Sequence, residues 1–137
     1  MKNITAALLL GVLALMLTAS FIACGAAKTE PASYRQISQE EAARLMQSRK
    51  DYIILDVRRD DEFRQKHIVG AINIPNEAIG TEPIAQLPDK DRLIMVYCRS
   101  GNRSKQASEK LVKLGYTNVV EFGGIITWSG ETASGND

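Results

Sequence analysis

The feature that most constrains the fold of this chain is an apolar run that ends in a cysteine. Residues 93–97 read Leu-Ile-Met-Val-Tyr, Cys98 follows directly, and a pattern of helical spacing begins at Ser104 after a short loop. A short, continuous apolar run is typical of a strand in the middle of a buried sheet. The sequence therefore predicts that Cys98 lies where a central strand ends and a helix is about to begin.

The residues after Cys98 favour a reactive thiolate at this position. They are Arg99, Ser100, Gly101, Asn102, Arg103 and Ser104. A helix N-terminus stabilises an anion, because its first N–H groups lack partners and its dipole adds partial positive charge. Together with nearby arginines, such a terminus lowers the pKa of a cysteine from about 8.5 to roughly 3.5 to 7.5. The loop supplies two arginines, and the residues between them tolerate tight turns, so the loop amides can point inward around a small anion. The alternative is a buried structural cysteine followed by an ordinary turn, which two arginines and a glycine disfavour.

Strand and helix patterns alternate along the rest of the chain. Strands are predicted at 34–37, 52–57, 71–74, 93–97 and 119–122, helices at 39–48, 60–66 and 104–114, and irregular helical turns at 77–87 and 124–128. Ser38 and Glu41 form a capping-box pattern at the start of the first helix. The alternation predicts an α/β fold with a central, mostly parallel five-stranded sheet and helices on both faces.

A second group of polar residues is expected at the same edge of this sheet. Asp56 and Arg58 follow the strand at 52–57, and ligands of parallel sheets bind beyond the C-terminal ends of the strands. We expect Arg58 to face a bound anion and Asp56 to orient arginines or loop amides. The sequence is equally consistent with Asp56 and Arg58 each forming only an ion pair at the end of the strand.

Several motifs in this order resemble those of the rhodanese-like sulfurtransferases. The loop from Cys98 to Ser104 is similar to the active-site loop of that family. Segments 54–58 (Ile-Leu-Asp-Val-Arg), 62–63 (Glu-Phe) and 67–75 resemble its first signature, and 115–116 and 122–128 resemble its closing signature. The resemblance covers about 34–131, and it implies a single rhodanese-like domain.

The resemblance also implies an activity. In the implied reaction, sulfur passes from thiosulfate or a similar anionic donor to Cys98, which becomes a persulfide, and then to cyanide or a thiol. It needs no cofactor. The residues from Arg99 to Ser104, together with Arg58, are then expected to bind the donor, and Asp56 to support them. His67 belongs to the first signature, and we expect a structural role for it.

Two other classes of protein share parts of this pattern. Phosphatases and arsenate reductases also hold an oxyanion with a cysteine, a loop and an arginine. Their loops have five residues between the cysteine and the arginine, whereas four separate Cys98 from Arg103. A smaller loop suits one sulfur atom better than a phosphate, which favours sulfur transfer. A non-catalytic rhodanese-like module that binds a partner or senses redox state is the second alternative, and the intact loop disfavours it.

The first part of the chain resembles a secretory signal. Residues 4–23 contain no charge, and 21–25 (Phe-Ile-Ala-Cys-Gly) resemble a bacterial lipoprotein cleavage site with Cys24 as the lipidated residue. We therefore predict a signal peptide at 1–23, a tether at 24–33, the domain at 34–131 and a flexible tail at 132–137. The expected location is outside the cytoplasm, in the periplasm or on the outer cell surface, with a lipid anchor in the membrane. An uncleaved membrane anchor is the alternative, because about 20 apolar residues can span a bilayer.

Composition limits the partners of the chain. Lys and Arg number 17 and Asp and Glu 16, so the chain lacks the basic character of a nucleic-acid binder. With one His and two Cys, one of which is the expected lipidation site, no Cys/His metal cluster is expected. At 137 residues there is room for one domain, which we expect to be monomeric.

Overall fold

A computed structural model of the chain describes residues 32–136. The strands are β1 (Arg35–Gln36), β2 (Tyr52–Asp56), β3 (His67–Ile68), β4 (Ala71–Asn73), β5 (Leu93–Cys98), β6 (Val119–Gly124) and β7 (Thr132–Ala133). The helices are α1 (Gln39–Ser48), α2 (Asp60–Gln65) and α3 (Asn102–Lys113), and short 3-10 helices span Asn76–Ala78 and Ile125–Thr127. Five strands form one parallel sheet in the order β1-β6-β5-β2-β4.

Strand β5 lies in the middle of this sheet because both of its faces are apolar. All six of its residues are buried. Ile94 and Val96 pack on the face that α3 covers with Leu111, while Met95 packs on the opposite face with Ala42 of α1. The predicted α/β fold, with helices on both faces of a parallel five-stranded sheet, is confirmed.

The first helix begins and ends where the sequence predicts. Ser38 adopts an extended conformation, and its hydroxyl accepts a hydrogen bond from the Glu41 amide at 3.1 Å. This bond satisfies one of the free N–H groups of the first turn. The helix then spans Gln39–Ser48 and buries Ala42 against the sheet.

Elements that depend on distant contacts differ from the prediction. Part of the tail predicted to fray, Thr132–Ala133, pairs antiparallel with His67–Ile68. The segment 77–87 is not helical beyond the short 3-10 helix at Asn76–Ala78. Helix α3 begins two residues earlier than predicted, because Gly101 caps it with a φ of 107°.

The predicted signal peptide, most of the tether and Cys24 lie outside the described residues. Within 32–136, no helix has the length and apolar character needed to cross a membrane.

Candidate active site

Cys98 is the last residue of β5, and only 1% of it is exposed. The strand thus delivers the thiol to the edge of the sheet where parallel strands end. The adjacent strand β6 is in irregular register there, with Cys98 opposite Gly124. The sulfur therefore lies beneath the loop that connects β5 to α3, as the sequence predicts.

Loop amides surround the Cys98 sulfur. The Gly101 N–H donates to Sγ at 3.0 Å. This orientation uses the left-handed conformation of Gly101, which costs other residues about 1–2 kcal/mol. Burial raises the pKa of the Cys98 thiol, but hydrogen bonds from the Ser104 hydroxyl and from the amides of Ser104, Gly101 and Ser100 outweigh burial and lower the pKa overall. The loop is thus arranged to stabilise negative charge on a buried sulfur.

Gly124 lets β6 approach the loop closely. A Cβ at this position would overlap the Arg99 carbonyl and lie 2.6 Å from the Cα of Ser100. The loop is also tied to the chain beyond β6, since the Ile126 amide donates to the Arg99 carbonyl at 3.3 Å. The missing side chain of Gly124 is therefore part of what shapes the loop.

Arg103 does not stand free beside the thiol. Its guanidinium forms two hydrogen bonds with the Glu62 carboxylate, at 2.7 and 3.0 Å. The bond from Arg103 lowers the pKa of Glu62 to about 2. In the other direction, Glu62 is the main cause of the raised pKa of Arg103, to which the charge of Cys98 also contributes. Sequence reasoning missed this pairing, because Glu62 entered it only as part of a family signature.

Arg58 and Asp56 form a buried ion pair at the end of β2. The Arg58 Nη2 atom lies 2.6 Å from Asp56 Oδ2 and also donates to the Lys66 carbonyl at 2.6 Å. Asp56 Oδ1 accepts the Arg58 amide at 2.9 Å. Asp56 thus orients an arginine, while contact between Arg58 and a bound anion stays a prediction.

A shallow depression of about 260 Å³ lies on the protein surface at this edge of the sheet. Its lining residues are Arg58, Glu62, Gln65, Lys66, Arg99, Ile125 and Ile126. Ile126 is 62% exposed, and Arg99 is exposed as well. The depression therefore combines an apolar side chain with positive charge, a surface that suits an anionic molecule approaching the loop.

The remaining candidates have different surroundings. Asn102 is exposed at the first position of α3. His67 is fully buried, its ring stacks on Phe63 with 3.9 Å between centroids, and its Nδ1 lies 2.9 Å from the Phe63 carbonyl oxygen. These are the surroundings of a packing residue. In the part of the chain that the structure describes, no group of three or more His, Cys, Asp or Glu residues could hold a metal ion.

Glu121 is a polar site residue that sequence reasoning overlooked. It lies on β6, is 3% exposed, and its Oε1 accepts hydrogen bonds from the Ser104 hydroxyl at 2.6 Å and the Gly123 amide at 2.8 Å. Its only sequence signal is a charged residue in the strand pattern Val-Val-Glu-Phe.

The fold and the loop together define a class of protein. It is an α/β domain that presents a buried cysteine at the end of its central strand, inside a loop of converging amides. Within that class the chain belongs to the rhodanese-like family, since the family model for the rhodanese-like domain matches residues 38–131.

Several relatives are named sulfurtransferases. The chain is 41% identical over 71 residues to the thiosulfate sulfurtransferase PspE of Escherichia coli, which covers 52% of this chain and 68% of that protein. It is 33% identical over 96 residues to the thiosulfate sulfurtransferase GlpE of Coxiella burnetii, which covers 69% of this chain and 87% of that protein. A sulfurtransferase of Allochromatium vinosum is 35% identical over 95 residues, with the same two coverages.

Solved structures are similar as well. One described as a rhodanese with anions from Escherichia coli has a TM-score of 0.56 and 39% identity, covering 61% of this chain and 99% of that one. A thiosulfate sulfurtransferase of Pseudomonas aeruginosa has a TM-score of 0.66 at 27% identity, covering 74% of this chain and 20% of that one.

Proposed function

We propose that the protein is a thiosulfate sulfurtransferase that carries sulfur as a persulfide on Cys98. The Cys98 thiolate attacks the outer sulfur of thiosulfate, the sulfur–sulfur bond of the donor breaks, and its electron pair leaves with sulfite. An acceptor nucleophile, cyanide or a thiolate, then attacks the terminal sulfur. The bond to Cys98 breaks, and the thiolate is restored.

The arrangement of amides around Cys98 carries this proposal. The charge that begins on the thiolate passes to the terminal persulfide sulfur, so a site for this reaction must hold an anionic sulfur in both states. Preorganised N–H donors stabilise such charge as an oxyanion hole does for oxygen. The Gly101 amide already lies 3.0 Å from Sγ, and the names of the relatives point to the same chemistry.

Positive charge near the loop supports binding of an anionic donor. Arg99 is exposed and lines the same depression as Lys66 and Arg58, and Arg103 lies in the first turn of α3. We propose that Arg99, Arg103 and Arg58 attract and orient thiosulfate, while Ser100, Gly101, Asn102 and Ser104 shape the loop that receives its outer sulfur. Glu62 holds Arg103 in a fixed direction, so this arginine contributes from a set position rather than as a mobile side chain.

The proposal is tested by steady-state transfer of sulfur from thiosulfate to cyanide. Cys98→Ser should abolish turnover and keep the fold, because serine is nearly the same size and forms no persulfide. Arg103→Ala should lower kcat/KM for thiosulfate tens-fold, because a charge-assisted hydrogen bond is worth about 1.5 to 3 kcal/mol. Arg44→Ala, an exposed arginine of α1, is the matched control and should have no effect.

The same preparations discriminate the competing activities. If the wild type hydrolyses a small aryl phosphate and Cys98→Ser does not, the activity is that of a phosphatase and not sulfur transfer. A wild-type protein that transfers no sulfur and cleaves no phosphate would support the non-catalytic module instead.

We also propose that the domain is anchored outside the cytoplasm by a lipid on Cys24. The support is the sequence pattern alone, an uncharged segment that ends in Phe-Ile-Ala-Cys. The protein should fractionate with membranes and incorporate labelled fatty acid, since two or more chains give stable anchoring. Cys24→Ala should block both. Normal processing of this variant, with the wild type found free of membranes, would contradict the anchor.

A further inference from the structure

The depression beside the Cys98 loop contains an apolar side chain that the fold holds out in solvent. Ile126 is 62% exposed, the most of the large hydrophobic side chains that are exposed among residues 32–136, which are Val69, Ile72 and Ile126. The preceding Ile125 is buried in the core, and the Ile126 amide donates to the Arg99 carbonyl at 3.3 Å. These contacts fix the backbone of Ile126 beside the loop and leave its side chain free to contact an apolar part of a bound molecule.

The same depression has positive charge that no carboxylate neutralises. Arg58 and Glu62 each have an ion-pair partner, at 2.6 and 2.7 Å. Arg99 and Lys66 are both exposed, and among residues 32–136 no carboxylate oxygen lies within 4.0 Å of the side-chain nitrogens of either. Two unpaired cations beside one apolar side chain favour a ligand that combines a negative charge with an apolar chain.

The size of the depression favours a small molecule over a protein. Its volume is about 260 Å³, whereas sites for drug-sized ligands measure about 300–1,000 Å³. A protein partner normally covers about 800 Å² of surface, with an apolar centre. Here the exposed apolar surface is that of Ile126, because Ile125 is only 8% exposed. The expected ligand is therefore a small organic anion.

We propose that this depression binds the acceptor of the sulfur, and that the acceptor is a small organic thiol with a carboxylate on an apolar chain. Arg99 and Lys66 attract the carboxylate, and Ile126 contacts the chain. Thiosulfate has no apolar part and gains nothing from Ile126, so this side chain serves the second half of the reaction. The inference rests on the proposed function, because it names the acceptor of that reaction.

The transfer to such a thiol balances without a further reactant. The acceptor sulfur forms a bond to the terminal sulfur of the Cys98 persulfide anion, and the bond between that terminal sulfur and Sγ breaks, as in thiol–disulfide exchange. The electron pair of the broken bond returns to Sγ, and the proton of the acceptor thiol passes to the terminal sulfur. The products are the Cys98 thiolate and an organic hydropersulfide.

The experiment follows the loss of the persulfide from protein that has been loaded with thiosulfate and then freed of it. The full chain carries Cys24→Ala, so that Cys98 is its one thiol. The probes are mercaptohexanoate, mercaptohexanol, which lacks the charge, and mercaptopropionate, which has a shorter chain. Intact mass gives the rate of discharge. Below saturation, mercaptohexanoate should react at least about threefold faster than either of the others, since an exposed charge pair contributes up to about fivefold.

Substitutions in the depression locate the two preferences. Lys66→Gln should reduce the preference for mercaptohexanoate over mercaptohexanol at least about twofold, because it removes one unpaired charge. Ile126→Ser should reduce the preference over mercaptopropionate by a similar factor, because the apolar contact is lost, and Ile126→Leu should retain that preference. Lys50 is exposed just before β2 begins, at the opposite edge of the sheet. Lys50→Gln is therefore the matched control and should keep both preferences.

Three results would overturn the proposal while leaving sulfur transfer intact, because in each of them the persulfide has formed. The first is equal discharge to the three thiols, and the second is a preference that its variant leaves unchanged. The third is discharge to a neutral peptide with one cysteine that falls as much in both variants, which would indicate a peptide acceptor. A chain that gains no sulfur from thiosulfate would instead overturn this proposal and the proposed function together.

Discussion

Two opposing effects act on the Cys98 thiol. Burial disfavours the thiolate, and four hydrogen-bond donors of the loop favour it, with the balance on the side of a lowered pKa. Cys98 also lies close to the N-terminus of α3, a helix of 12 residues. The dipole of this helix further favours the thiolate. The thiol is therefore shielded from solvent without losing its ability to ionise.

This balance predicts how fast Cys98 reacts as a function of pH. Alkylation of the Cys24→Ala chain should titrate with a pKa below the value of about 8.5 for free cysteine. The Gly101 amide, which donates to Sγ at 3.0 Å, is one of the donors that favour the thiolate. A measured pKa at or above that of free cysteine would contradict the arrangement of the loop described above.

The close approach of Gly124 to the loop leads to a second prediction at the scale of single residues. Gly124→Ala should reduce sulfur transfer at least tenfold and raise the pKa of Cys98, because its Cβ would overlap the Arg99 carbonyl and push the loop amides away from the sulfur. Gly80→Ala is the control, since nothing lies within 4 Å of a Cβ added there. Equal rates for wild type and Gly124→Ala would mean that the loop is not held by β6.

At the scale of elements, the ion pair of Glu62 and Arg103 joins α2 to α3. Both side chains are mostly shielded from solvent, and the pKa of Glu62 falls to about 2 from a normal value of 4.5. Because the pKa is lower in the folded state than in the unfolded state, the stabilisation is fully present above about pH 4.5. It is lost as the pH falls toward 2.

Glu62→Gln tests this pH dependence. At pH 7 the substitution should reduce the free energy of unfolding by on the order of 2 kcal/mol, and the difference from wild type should shrink between pH 4.5 and pH 2.5. Denaturant unfolding of the wild type and the variant at pH 7, 4.5 and 2.5 measures this difference. Glu82 is exposed, and Glu82→Gln is the control. It should change neither the free energy of unfolding nor its dependence on pH. A difference that does not vary with pH would contradict the ion pair.

Elements set by local pattern could be predicted, and those set by distant contacts could not. Helix α1 has its cap, its apolar stripe and its end within residues 38–48, so its bounds follow from the sequence. Strand β7 has no apolar pattern and exists because it pairs with β3, some 65 residues earlier. A pairing of that kind depends on where the rest of the fold places the two backbones.

The same distinction applies to the site. The position of Cys98 before a helix follows from adjacent residues, whereas Glu62 lies 41 residues from Arg103, and Glu121 lies 17 from Ser104. These carboxylates join the site only when the fold brings Glu62 of α2 to Arg103 of α3 and pairs β6 with β5. At the scale of the whole molecule, sequence therefore identifies the thiol and its loop, and the structure adds the acidic groups that hold the loop's arginine and hydroxyl in place.

The most direct test of the proposed function is the intact mass of the protein after brief treatment with thiosulfate. The full chain with Cys24→Ala should gain the mass of one sulfur atom, lose it again on addition of cyanide, and yield thiocyanate in equal amount. Cys98→Ser in the same background should gain nothing. If the chain gains no sulfur, or if Cys98→Ser gains it equally, Cys98 is not the carrier and the account of the site as a sulfur-transfer centre is wrong.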